Sequence, residues 1–253
     1  MSEAKQQLDI YNPAEFYAAL GLLTVLSLQH REAELDSHFE LAGHQGENNA
    51  TFVVSSEAGV RIEPVMDDLA QAKAVPDTSA NVWNNPQENP QLVCPVILSS
   101  DGWSITLDWW LDELRYQTGS LKLWSGNSKP ADMLRSFIRL GTGCVNVGGT
   151  VFGFDTRCSR DSLEVGFSKR DTGEKASLYP QTELLCAIGL QHYRPQNKTY
   201  YAWHEPIPHN ITHGAAIQEI PGVPQTRYEF EVRKIGQGAK EIFVPVRQEL
   251  MEV

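Results

Sequence analysis

Two stretches far apart in the chain repeat one pattern. Glu15-Phe16-Tyr17-Ala18-Ala19-Leu20-Gly21-Leu22 matches Glu183-Leu184-Leu185-Cys186-Ala187-Ile188-Gly189-Leu190, and a proline stands two or three residues ahead of each glutamate. Proline at the first helical position loses no donor that the helix needs. Both stretches therefore read as helices, over 14–29 and 179–193, and both are apolar nearly all round, which places them inside the protein. Glycine within a helix costs about 1 kcal/mol against alanine. Finding it twice at one register implies that Gly21 and Gly189 are buried and pack closely against another backbone. The match points either to a duplicated, pseudo-symmetric architecture or to a chance coincidence of apolar positions.

The remaining pattern supplies strands around these helices. A short strand is expected over Leu8–Tyr11, with Asn12 as N-cap of the first helix. His38–Ala42 and Thr51–Val54 alternate and flank a GHQGENN loop, which reads as a hairpin. Met66–Ala74 reads as a short helix and Val75–Pro90 as a surface loop rich in Pro, Asn, Asp and Ser. Val93–Leu98 and Ser104–Trp109 are strands about an SSDG turn, and Pro130–Leu140 is a helix. Val151–Asp155 and Leu163–Phe167 are further strand candidates, and Tyr228–Arg233 with Glu241–Val246 reads as a hairpin. The expectation is an α+β fold, with mixed or antiparallel sheets around two buried apolar helices. The 253 residues suit a single α+β domain, or two sub-domains over 1–110 and 111–253.

The apolar run Phe16–Leu28 falls short of the roughly twenty residues that span a membrane. The opening MSEAKQQLD has no basic region ahead of an apolar one, so the cytoplasm is the default location. The four cysteines, Cys94, Cys144, Cys158 and Cys186, form no CxxC pair. They read as buried thiols rather than as a disulfide framework or a zinc site. No metal or cofactor is expected.

A formal net charge of −11 argues against a free-standing, non-specific DNA binder. The charge is segregated, however. From Arg115 to Lys175 there are ten Lys/Arg and six Asp/Glu, a net of +4 inside a strongly acidic chain.

That basic middle holds the candidate chemistry. The loop Trp124-Ser125-Gly126-Asn127-Ser128-Lys129 enters a helix and suits an anion, because glycine lets the backbone approach while hydroxyls and amides donate. Lys122 and Lys129 supply charge, with Arg135 and Arg139 further along. The indoles of Trp109, Trp110 and Trp124 can stack bases or fill the core. Arg157, Arg160, Lys169, Arg170 and Lys175 form a second basic group suited to phosphate contact or to a solvated hairpin. The nucleic-acid-binding candidates are Lys122, Trp124, Ser125, Asn127, Ser128, Lys129, Arg135, Arg157, Arg160, Lys169 and Arg170. The loop LGTGCVNVGG fits neither a P-loop nor GxGxxG, and its glycines read as turn formers. His209 and His213 are four apart, yet Pro206 and Pro208 argue against a helix carrying both. No catalytic constellation emerges.

At these motifs the chain resembles the short large-subunit-like family of type I-U (I-G) CRISPR–Cas effector complexes. The resemblance rests on NPAEFYAALGLL, LDWWLDE with LKLWSGNSK, FGFDTR with VGFS, and YPQTELLCAIGLQHYRP, in order from Asn12 to Pro195. The family reads closer to LKTWAGQQS where this chain has LKLWSGNSK. The resemblance implies a non-enzymatic, DNA- or RNA-contacting subunit of a Cascade-type complex. Its partners would be other effector subunits, crRNA, target DNA and a helicase-nuclease, with base pairing reading the sequence. The competing expectation is a metal-independent endoribonuclease that processes CRISPR RNA with a histidine and the glycine-rich loop.

Overall fold

The computed structural model describes residues 2–43, 49–79, 94–111, 129–147, 152–157, 176–195, 198–235, 240–244 and 246. Asn12 caps the first helix as its sequence demands: its Oδ1 accepts from the Ala14 N–H at 3.2 Å, and Pro13 opens the helix. This helix, α1 (Pro13–Gln29), is buried on every side from Pro13 to Leu26. Its twin, α4 (Pro180–His192), is buried from Glu183 to Gly189 and beyond. The two pack along each other. A methyl added to Gly21 would fall on the Leu185 carbonyl, and one added to Gly189 on the Tyr17 carbonyl. Tyr17 and Leu185 occupy the same place in the two copies of the motif, four residues before each glycine. The contact is therefore reciprocal, and the two glycines pack against each other's helix.

Antiparallel strands surround this pair, as an α+β fold requires. One sheet runs β1 (Ser2–Leu8), β3 (Ala50–Ser56), β2 (Asp36–Leu41) and β10 (Ile207–Pro208). A second runs β4 (Lys73–Pro76), β5 (Val96–Ser100) and β6 (Trp103–Leu107). In the β5–β6 hairpin Ser100 pairs with Trp103, leaving Asp101-Gly102 as the turn with Gly102 at φ +84°. Among the described residues there are also three two-stranded ladders: β7 (Val145–Val147) with β8 (Ala176–Leu178), β9 (Thr199–Trp203) with β11 (Gln225–Glu229), and β12 (Val232–Ile235) with β13 (Lys240–Phe243). Helices α2 (Glu63–Gln71), α3 (Pro130–Leu140) and α5 (His209–Ile217) lie outside the central pair. Nearly all of the buried apolar residues described form one cluster from Ala4 to Phe243, with Val53 outside it.

Several expected elements shift. The first strand ends at Leu8, where a strand over Leu8–Tyr11 was expected, and the chain turns through an Asn12 N–H to Asp9 carbonyl bond of 3.0 Å. Pairing with the largely buried β3 outweighs the poor strand propensity of its polar residues. Helix α2 starts three residues earlier than its apolar pattern suggests, because Pro64 sets its first turn. Val75 and Pro76 belong to β4 rather than to a loop. Tyr228 pairs with β9, so the tail hairpin is only β12–β13. The glycine-rich loop contains β7, with Gly141 and Gly143 at φ +72° and +89° ahead of it. Phe152–Asp155 is buried throughout and joins none of the sheets among the described residues: the Gly153 and Asp155 N–H groups donate to the Glu183 carboxylate at 2.7 and 3.0 Å. The strand expected over Leu163–Phe167 lies outside the described residues.

Candidate nucleic-acid interface

Helix α3 carries two of the described cations of the basic middle, Arg135 and Arg139, with Lys129 just ahead of it. Ala131, Met133, Leu134 and Phe137 are buried, and they hold the helix against α2 and α4. Asp132, Arg135 and Arg139 are exposed at spacings of three and four, which puts them on one stripe. Lys129 occupies the N-cap position without making a side-chain cap bond. The first-turn N–H groups and the helix dipole there favour an anion. Arg135 is partly committed: its Nε donates to the Ala74 carbonyl at 2.8 Å and its Nη1 to Asp132 at 3.0 Å. Arg139, in the last turn, is the exposed cation on the far end of the stripe.

Arg157 has a different setting. It sits where the starts of α1 and α4 meet. Its Nη2 and Nε grip Asp155, with contacts from 2.6 to 3.3 Å, and its Nη1 lies 2.8 Å from Glu15. Nη2 also donates to Thr182 Oγ1 at 3.3 Å, and the guanidinium stacks 3.9 Å from the Tyr179 ring. Burial would lower its pKa, but the Asp155 hydrogen bond and the Asp155 and Glu15 charges outweigh that and hold it charged. Glu15 is pushed up by burial, against the pull of the Asp9 N–H and Arg157. Asn12 ties the cluster together, donating from Nδ2 to Asp155 at 2.9 Å.

The cluster has a counterpart in the repeat. Glu15 accepts the Asp9 N–H at 2.8 Å, as Glu183 accepts those of Gly153 and Asp155. Each glutamate stands in the first turn of its helix and collects backbone donors, Glu15 from Asp9 just ahead of α1 and Glu183 from the Phe152–Asp155 stretch well upstream of α4. Sequence reasoning did not find this buried acid cluster, although its signal was present: one glutamate at one register in both copies of an otherwise apolar motif.

Of the expected interface residues, the structure places Lys129 and Arg135 together on α3, and Arg157 at the start of α4, against which α3 packs. Lys122, Trp124, Ser125, Asn127, Ser128, Arg160, Lys169 and Arg170 lie outside the described residues. Trp109 and Trp110 are core residues and not base-stacking platforms. They are 2 % and 0 % exposed, and their Nε1 groups donate to the Ala187 and Cys94 carbonyls at 3.1 Å.

The histidines also resolve. His204 has both ring nitrogens occupied, by the Phe39 carbonyl at 3.2 Å and Thr226 Oγ1 at 2.8 Å. His209 and His213 do share a helix, α5, contrary to the reading from the prolines: Pro208 stands just before the first helical residue, where its φ of −59° costs nothing. Burial lowers His192 and His209, and the neighbouring His213 and His192 add to the respective effects. Among the described residues no group of three or more His, Cys, Asp or Glu is placed to hold a metal ion. Among them, too, no helix is long and apolar enough to cross a membrane. No family model, curated protein or solved structure matches the chain.

Proposed function

We propose that this chain is a non-catalytic, nucleic-acid-binding subunit of a cytoplasmic CRISPR crRNA-guided interference complex of type I-U (I-G), contributing to target recognition or strand holding. The observation that carries the reading is charge segregation: a net of +4 over Arg115–Lys175 within a chain of net −11. The exposed cationic stripe of α3 belongs to that region. The ordered motifs from Asn12 to Pro195 point the same way. An acidic remainder suits contact with basic partner subunits, while one basic face meets nucleic acid. The partners on this reading are other effector subunits, crRNA, target DNA and the helicase-nuclease that cleaves. Two hydrogen bonds on the His204 ring favour a structural over a catalytic role for that histidine.

The test is co-purification. Expressed with its neighbouring effector genes, the tagged chain should bring down guide RNA and the complex's backbone proteins. Incubation of the pure chain with repeat RNA in EDTA should leave the RNA intact. Site-specific cleavage there would replace this proposal with the endoribonuclease reading.

A further inference from the structure

The C-terminal end of α1 opens onto a cleft of about 650 Å³. The turn after β3, the start of α2 and the β5–β6 turn close its sides. A more open lobe of about 540 Å³ adjoins it, sharing Gln29, His30, Ala58 and Gly102 as wall. Such volumes are in the range of sites that hold small ligand groups. The walls combine aliphatic surface with acid. Ala58, Val60 and Pro64 supply the aliphatic part. Asp68 is half-buried and accepts from Gln29 Nε2 at 2.5 Å, which fixes its carboxylate between α2 and α1. Asp101 stands exposed in the β5–β6 turn. Among the described residues neither aspartate is in an ion pair. The two arginines of the walls are already engaged: Arg61 Nε lies 3.7 Å from Glu63, and Arg31 Nε donates to the Leu28 carbonyl at 3.3 Å. Helix α1 has no basic residue in its last turn, so the negative end of its dipole adds to the carboxylates. The wider field has the same sign. Residues 1–110, which hold the whole cleft, carry four Lys/Arg against sixteen Asp/Glu, a net of −12.

We propose that this cleft is a docking site for a lysine or arginine side chain of a partner protein. The aliphatic stem lies on Ala58, Val60 and Pro64, and the cationic head reaches Asp68 and Asp101. Long basic side chains are the protein groups that join an apolar stem to a fixed positive charge, which is the pairing these walls offer. A polyanion meets an opposing field here, so the cleft and the basic middle serve different partners. That the partner is a subunit of an effector complex rests on the function proposed above; the cation site itself does not.

The experiment titrates the isotopically labelled full chain with acetyl-Gly-Gly-Arg-Gly-Gly-amide and with the same peptide carrying norleucine for arginine, and follows amide chemical shifts. The arginine peptide should shift the amides of Gln29, Gly59 and Gly102. The norleucine peptide keeps an aliphatic stem without the charge and should bind about tenfold more weakly. Asp68→Asn, which leaves an acceptor for Gln29, should weaken the arginine peptide about tenfold. Asp101→Asn, which keeps a favourable Asn-Gly turn, should weaken it about threefold. Glu219→Gln, at an exposed acid outside the cleft walls, should change nothing. Shifts absent from the cleft amides would overturn the site, as would equal affinity for the norleucine peptide or parental affinity in both aspartate variants. A loss in Glu219→Gln as large as theirs would also overturn it, by reducing the effect to the general field of the chain. If Asp68→Asn does not fold, Asp101→Asn decides alone. Spermidine binding the cleft more tightly than acetyl-Lys-Gly-Lys-Gly-Lys-amide, of equal charge, would make the occupant a free polyamine and overturn the protein source. The proposed function stands or falls separately. Peptide held in the cleft of a chain that brings down no guide RNA would keep the docking site and remove the effector complex. Guide RNA and backbone proteins brought down by a chain whose cleft takes no peptide would keep the complex and overturn the docking site.

Discussion

At Gly21 and Gly189 two effects of opposite sign compete. Alanine is the better helix former by about 1 kcal/mol, and at an open helical site it would stabilise. Here the added methyl meets a carbonyl of the opposite helix, which cannot rotate away as a side-chain tip could. Overpacking a close-packed core costs about 1–3 kcal/mol, so it outweighs the propensity gain. Gly21→Ala and Gly189→Ala should each lower stability by about 1 kcal/mol or more in denaturant melts, and leucine should cost more at either site. A gain in stability from either alanine would mean that the helices do not meet at the glycines. The sequence made the burial of both glycines legible, since an apolar helix broken by glycine at one register has few other uses. It did not make their mutual contact legible, because periodicity reports which face is buried and not what covers it. The same holds for Glu15 and Glu183, whose partners come from segments that no local pattern links to them.

Elements were readable where local signals agree with their surroundings. Helix α3 runs over the residues its sequence predicts, because Pro130 starts it, Gly141 follows it, and its apolar positions fall on one face. Its cationic stripe yields a prediction. Lys129→Gln with Arg139→Gln changes groups on the solvent side, so the fold should shift by no more than about 0.5 kcal/mol. If the chain acts in the proposed complex, the pair should weaken target binding there and lower the salt slope by about two, one per lost phosphate contact. An unchanged slope would make these charges solvated surface. Helix α5 was not readable, because two prolines hide a start that one of them in fact sets. It brings His209 toward His192 at the end of α4, and burial depresses both. The sign follows from linkage. A base with a lowered folded pKa binds protons less well than in the unfolded chain, whose histidines titrate near 6.5. Stability contributed by these two groups is therefore present above about pH 6.5 and is lost as the pH falls through that range. Melting temperatures of the parent should drop on acidification from neutrality. In the double variant His192→Gln with His209→Gln the drop should be shallower, and identical profiles would remove these histidines from the account.

For the whole molecule the governing quantity is the balance of charge. A net of −11 spread over one compact chain repels a polyanion beyond its contact surface, over a screening length of about 10 Å at moderate salt. A local +4 can release a few counterions on contact, yet it must do so inside that opposing field. On the proposed function the two terms separate in the effector complex, where basic partner surfaces would cover the acidic remainder and leave the basic face exposed. The isolated chain should accordingly bind duplex DNA only weakly at physiological ionic strength, and the assembled complex should bind its target well. Fluorescence anisotropy with a labelled duplex at two or more salt concentrations, run on the free chain and on the complex, measures both terms. Tight and steeply salt-dependent binding by the free chain would show that its basic face overcomes the acidic field unaided, and the case for an obligate assembly partner would fail. Weak binding in both states would instead place the basic middle against protein or guide RNA.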